Sequence, residues 1–166
     1  MKHIILILSL GYLSVLLSGA AVYDPKSTLD EQLNALKQEC REQIRPARYE
    51  GSRITYFTLR KKKQHKELEL SLPAETGYLF AINGKACSAK LKVRFYDSGN
   101  KKTRKLLFEQ KEMAGKIGIF NASELESKNK KHTTRNTPLK NIFIEYEIYP
   151  GTEKLEGIVL VIGQEH

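Results

Sequence analysis

The sequence predicts an all-β fold, an antiparallel β-sandwich of about eight strands with one N-terminal amphipathic helix packed on it. Two patterns carry this expectation. From residue 53 onward apolar residues recur with period two in short runs separated by turns containing Gly, Pro, Asn or Lys, the signature of a sandwich or barrel and not of a parallel α/β sheet. Ahead of them a single stretch follows the helical period and gathers its apolar residues on one stripe, which must dock on something. A third observation joins the two. The last run, IVLVI at 158–162, is apolar on both faces, so it belongs in mid-sheet with the sandwich core on one side and the helix on the other.

Taken in order, the chain opens with Lys2 and His3, an apolar stretch from Ile4 through Leu17, and Ser18-Gly19-Ala20-Ala21. That is the layout of a secretory signal peptide over 1–20, with a retained single span as the alternative, for which the apolar stretch is short. Residues 21–27 read as a flexible lead-in. Over 28–45, Leu29, Leu33, Leu36, Cys40 and Ile44 share one helix face, Thr28 with Glu31 makes a capping box, and Pro46 stops the helix. Arg48-Tyr49-Glu50-Gly51-Ser52 reads as a hinge, where Gly51 frees the chain to turn into a sandwich spanning 51–165 that forms one domain with the helix.

Within the sandwich, ITYFTL at 54–59 is β-branched and aromatic, and Leu68, Leu70 and Leu72 alternate with Glu67, Glu69 and Ser71. Tyr78, Phe80 and Ile82 follow, then a hairpin over 89–110 in which Leu91, Val93 and Phe95 supply the buried face. Short runs at 117–120, 142–148 and 158–162 complete the set. The stretch 121–139 is the one connection of unusual length, and Ser123 with Leu125 marks a short helical turn in it.

Export sends Cys40 and Cys87 to an oxidising compartment, where a single disulfide between them is the economical expectation. Such a bridge would pin the helix to the body and contribute up to about 4 kcal/mol. The alternative is a pair of buried free thiols.

The formal charge is +9 for the whole chain and +8 once Lys2 leaves with the signal, which favours acidic partners. Three basic clusters fall between strands, and the anionic-ligand candidates are drawn from them: Lys61, Lys62 and Lys63; Lys101, Lys102 and Arg104; Lys130, Lys131 and Arg135. If successive strands alternate in direction, the 98–104 and 121–139 segments open at one end of the sandwich and the 60–66 segment at the other. No aromatic residues interleave these clusters, so nucleic acid is not expected, and solvated turns that blunt edge pairing are the plain alternative.

Glu67 with Glu69, and Glu145 with Glu147, each project from one strand face, where crosswise pairing with Lys92 and Arg94 on a solvated surface is expected in preference to a glycosidase pair. No catalytic residue is assigned. His3 lies in the signal, His65 and His132 lie in basic loops and His166 is terminal, so no Ser-His-acid or Cys-His arrangement suggests itself. Asp97-Ser98-Gly99-Asn100 lacks the acids of a calcium loop and reads as a turn, and no zinc spacing occurs, so neither metal nor cofactor is expected. Asn121-Ala122-Ser123 is a glycosylation sequon.

The run 48–57 (RYEGSRITYF), with KVRFYD at 92–97 and IVLVIG at 158–163, resembles small exported bacterial proteins of uncharacterised function that carry a leading helix and a jelly-roll-like β-sandwich. The strand ending in FYD is also similar to bacterial pre-peptidase-type sandwich domains, which implies an accessory or binding role. The resemblance implies a fold and an envelope location, and brings no site residue with it. The resulting expectation is a periplasmic or secreted, non-enzymatic binding or structural protein, without a membrane span after signal cleavage, that contacts an anionic polymer or an envelope protein through its basic loops. A small envelope hydrolase using carboxylates at a loop end of the sandwich is the alternative.

Overall fold

A computed structural model describes residues 24–73, 77–132 and 139–165, so the expected signal over 1–20 lies outside the described residues. Among the described residues are eight strands, β1 (Arg48–Thr58), β2 (Gln64–Ser71), β3 (Tyr78–Asn83), β4 (Leu91–Tyr96), β5 (Leu106–Gln110), β6 (Ile117–Asn121), β7 (Asn141–Ile148) and β8 (Leu155–Gln164). Two helices join them, α1 (Pro25–Gln43) and α2 (Ala122–His132). The strands form two antiparallel four-stranded sheets, ordered β1-β8-β3-β6 and β2-β7-β4-β5, which is the double-sheet arrangement of a jelly roll. No helix among the described residues is long and apolar enough to cross a membrane.

The strand most apolar in sequence is central, as its two apolar faces require. On one side of β8, Ile158 and Leu160 join the sandwich core with Phe80, Phe95 and Tyr146. On the other, Val159 and Val161 meet Leu29, Leu33, Cys40 and Ile44 of α1, the stripe expected from periodicity. Helix and strand approach closely because two positions on β8 lack a side chain. A Cβ on Gly157 would stand 2.6 Å from Leu33 Cδ1, and one on Gly163 would stand 2.7 Å from Ile44 Cδ1.

Three local expectations are corrected. The helix starts at Pro25, where the proline ring is tolerated, and is capped by Asp24, whose Oδ1 accepts from Lys26 N–H at 2.9 Å, so Thr28 lies inside the first turns. The hinge expected at 48–52 is already strand: Arg48 pairs with Gln164, and a register shift between Tyr49 and Gly51 absorbs one extra residue. Beyond Asn121 the chain forms α2, with Asn121 Oδ1 accepting from the Ser123 N–H at 2.8 Å, so the sequon asparagine serves as a helix cap.

The largest correction is the disulfide. Cys40 and Cys87 are both free and buried. They belong to different hydrophobic clusters on opposite faces of the β1-β8-β3-β6 sheet, Cys40 under the helix and Cys87 in the sandwich, so a layer of backbone runs between them. The helix is held by polar ties instead. Tyr56 of β1 donates to Asp30 Oδ1 at 2.8 Å, while Asn83 of β3 donates to Glu39 Oε2 at 3.2 Å and Lys85 pairs with the same carboxylate.

Burial pushes the Cys40 thiol up to about 11 and the Cys87 thiol up to about 12, so neither ionises near neutrality. A maleimide at neutral pH is therefore expected to leave the native protein unlabelled and to modify both thiols in denaturant, with no mass change on reduction. A Gly157→Val substitution forces a side chain into Leu33 and is expected to lower stability by about 1–3 kcal/mol in urea unfolding.

Candidate functional site

Among the described residues no helix covers the outer face of the β2-β7-β4-β5 sheet, and the sequence covers it with charge. Strand register sets Glu67, Glu145, Arg94 and Glu109 side by side across the four strands, with His65, Glu147 and Lys92 as the neighbouring row. Arg94 is the hub: its Nε donates to Glu109 Oε2 at 2.6 Å, and its Nη1 donates to Glu145 Oε1 at 2.9 Å and to Glu147 Oε2 at 2.6 Å. Glu67 and Glu145 face each other as like charges. Arg104 resolves the clash by reaching back from the 97–105 turn, donating to Glu67 at 2.6 Å and to Glu145 at 2.7 Å while its guanidinium lies 3.8 Å from the centroid of the Tyr96 ring.

Asp97 and Asn100 make that reach feasible. Asp97 Oδ1 accepts from the Lys105 N–H at 2.6 Å, and the Asn100 carbonyl accepts from the Arg104 N–H at 2.8 Å, closing the turn as the residue types anticipate.

The crosswise pairing with Lys92 and Arg94 is present for Glu145 and Glu147, whereas Glu67 meets Arg104 and Glu69 accepts from the Asn141 side-chain amide, and the face is not solvated at its centre. Glu145 and Glu147 are only 5% and 4% exposed. Burial opposes their ionisation, yet hydrogen bonds from Arg104 and Arg94 hold the Glu145 carboxyl below the usual range. Those from Tyr149, Lys63 and Arg94 bring Glu147 to about 2 against the same burial. Burial likewise opposes the charge on Arg94, and its three glutamates more than offset it, so its pKa rises.

His65 Nδ1 lies 3.5 Å from Glu145 Oε1, and donor atoms of His65, Glu145 and Glu147 all lie within 4.8 Å of one another. That spacing suits a metal ion, but the charge does not. A cation there would have to displace Arg94, Arg104 and Lys63 from carboxylates they already neutralise.

The basic candidates divide. Arg104 is consumed by the network, and Lys63 turns back to Glu147 at 3.0 Å and lies 4.5 Å over the Tyr149 ring. Lys61 and Lys62 are exposed on the β1–β2 turn, and Lys101 and Lys102 are exposed at the opposite end, as strand alternation requires. Lys130 and Lys131 fall in α2, and Arg135 lies outside the described residues.

The Lys61 end is more basic than any stretch of sequence shows, because four connections converge on it. Backbone hydrogen bonds lace them together: Leu59 to Lys154 at 2.9 Å, Gly151 to Arg60 at 3.2 Å, Tyr149 to Lys90 at 2.9 Å and Gly84 to Lys116 at 2.9 Å. Buried Glu156 secures the rim from below, accepting from the Ser88 N–H at 3.0 Å and from its hydroxyl at 2.5 Å. Arg60, Lys61, Lys62, Lys90, Lys111 and Lys154 are all exposed on this rim and form no salt bridge among the described residues. Arg60 and Lys61 also line an open hollow of about 880 Å³ with Pro150, Thr152 and one acid, Glu153. Lys90, Lys111 and Lys154 stand singly in the sequence, so only the topology reveals them.

Comparison with protein-family models found no match, and comparison with curated proteins found none.

Removing the hub tests the network. Arg94→Ala leaves two buried carboxylates without their shared partner and is expected to cost about 3–5 kcal/mol in urea unfolding at neutral pH. Because Glu147 is depressed in the fold, its contribution is complete above the unfolded carboxylate pKa near 4.5 and is lost as pH falls toward about 2. Acid unfolding in that window is expected to flatten in Glu147→Gln.

Proposed function

We propose that this chain is an exported, non-enzymatic β-sandwich that serves the bacterial cell envelope by contacting an anionic polymer or protein partner through its basic loops. The observation that carries this reading is the laced rim at the Lys61 end, where six exposed cations from four connections form no salt bridge among the described residues. A held rim presents its charges without paying to order four free loops, which favours association with a polyanion.

No observation favours the hydrolase alternative. Glu145 and Glu147 are tied to guanidinium and ammonium groups and held ionised, whereas a general acid needs a carboxyl whose pKa is raised toward neutrality.

The test is retention on immobilised dextran sulfate as a function of salt. Binding is expected to fall as salt rises, with a slope that drops by about one for each ammonium removed. The double variant Lys61→Glu, Lys62→Glu is expected to elute at clearly lower salt than Lys101→Glu, Lys102→Glu, which changes the same charge at the other end. Equal loss in both would mean that net charge alone binds, and an unretained wild type would overturn the proposal.

A further inference from the structure

A pocket opens beside the basic rim, where the first turns of α1 meet the β3–β4 connection and the start of β8. Thr28 and Gln32, one turn apart on α1, line it together with Ser88, Lys154 and Glu156, and its volume is about 370 Å³. That lies within the roughly 300–1,000 Å³ of small-molecule pockets. Lys154 belongs to the pocket and to the rim alike, so a ligand seated in one lies against the other.

Glu156 decides what the pocket accepts. It is 1% exposed, and among the described residues it forms no ion pair, whereas the comparably buried Glu145 and Glu147 are tied to arginines. Its hydrogen bonds come from a single residue, Ser88, which donates its N–H to Oε2 at 3.0 Å and its hydroxyl to Oε1 at 2.5 Å. A carboxylate offers about four acceptor sites, so roughly half of them are left for a further donor. Burial of a carboxylate is costly unless donors surround it, which favours a ligand that supplies them.

The charges around the pocket narrow the class of that ligand. A bare anion would be repelled by Glu156, and a bare cation by Lys154, which has no ion-pair partner among the described residues. Lys85 also lines the pocket, but Glu39 already balances it. Neutral hydroxyls fit both constraints, since they donate to the carboxylate and bring no charge against the ammonium.

We infer that the pocket seats one sugar unit of an anionic polysaccharide. The hydroxyls of that unit donate to Glu156 and exchange hydrogen bonds with Thr28 and Gln32, while carboxylate or sulfate groups on neighbouring units meet Lys154 and the rest of the rim. The inference rests on the polyanion reading of the rim and names the chemistry of the polymer. A chain rich in hydroxyls is selected over one, such as polyphosphate, that offers no donor.

The probes are trigalacturonate, which carries hydroxyls, and tripolyphosphate, which is more highly charged and carries none. Trigalacturonate is expected to bind at least about tenfold more tightly, a difference of roughly 1.4 kcal/mol, and to shift the amide NMR signals of Ser88 and Glu156. Gln32→Trp changes no charge and fills the pocket from an exposed helix position, and it is expected to bring trigalacturonate down to the level of tripolyphosphate while elution from dextran sulfate stays as in the wild type. Tripolyphosphate binding as tightly as trigalacturonate, shifts confined to 60–62, or a Gln32→Trp variant that binds trigalacturonate undiminished would overturn the inference. In those cases retention on dextran sulfate would leave the rim reading standing; its loss would remove both.

Discussion

The two-faced burial of β8 is the constraint on which the architecture rests. Ile158 and Leu160 on one face and Val159 and Val161 on the other are all removed from water, so the sheet containing β8 must be a middle layer. Sheet packing supplies one cover and α1 the other. The observed strand order agrees with this, because β8 lies between β1 and β3 and has both edges paired. Contact with α1 also explains why a strand so apolar contains Gly157 and Gly163, since a Cβ at either place would collide with the helix stripe.

The partner sheet meets the same problem differently. Its inner residues Ile142, Ile144, Tyr146 and Ile148 are buried in the sandwich, but among the described residues nothing helical lies over its outer face. Arginine stems and glutamates form the cover there, with planar guanidinium forks matched to carboxylates. Buried charge is costly and its replacement by apolar residues is often neutral, so the network is weak evidence for stability and stronger evidence for specificity. A one-residue slip of β7 would drive Glu145 and Glu147 into the core and expose Ile144 and Tyr146, so the ion pairs and the core enforce one register.

Sequence reasoning succeeds here where periodicity alone decides. The helix stripe, the strand alternations and the central place of IVLVI follow from which residues must leave water, and that information is local. The cysteines show its limit. Both sit at apolar positions, and the compartment argument speaks to redox chemistry, not to the layer of sheet that separates the two sulfurs. Arg104 counted as a loop cation because nothing in KKTRK shows that the turn folds it back over Tyr96. α2 is legible only as a helical turn, since ASELESKNKKH has few apolar residues, with Ala122 and Leu125 as the buried apolar positions among its described side chains.

The way charge is divided between the two cation types bears on what the rim is suited to meet. Arg94 and Arg104, whose forks recognise carboxylate or phosphate with defined geometry, are spent on the protein's own glutamates. The cations left on the rim are Arg60 and a set of lysines, whose compact ammonium groups on flexible stems make point contacts in many orientations. Such a surface discriminates little between anionic groups but gains with each additional one, so a repeating polyanion profits from it far more than a small anion does. Affinity would then come from the number of charges met at once, and the rigidity of the laced connections, rather than any single residue, would set how closely the repeat of the polymer can be matched.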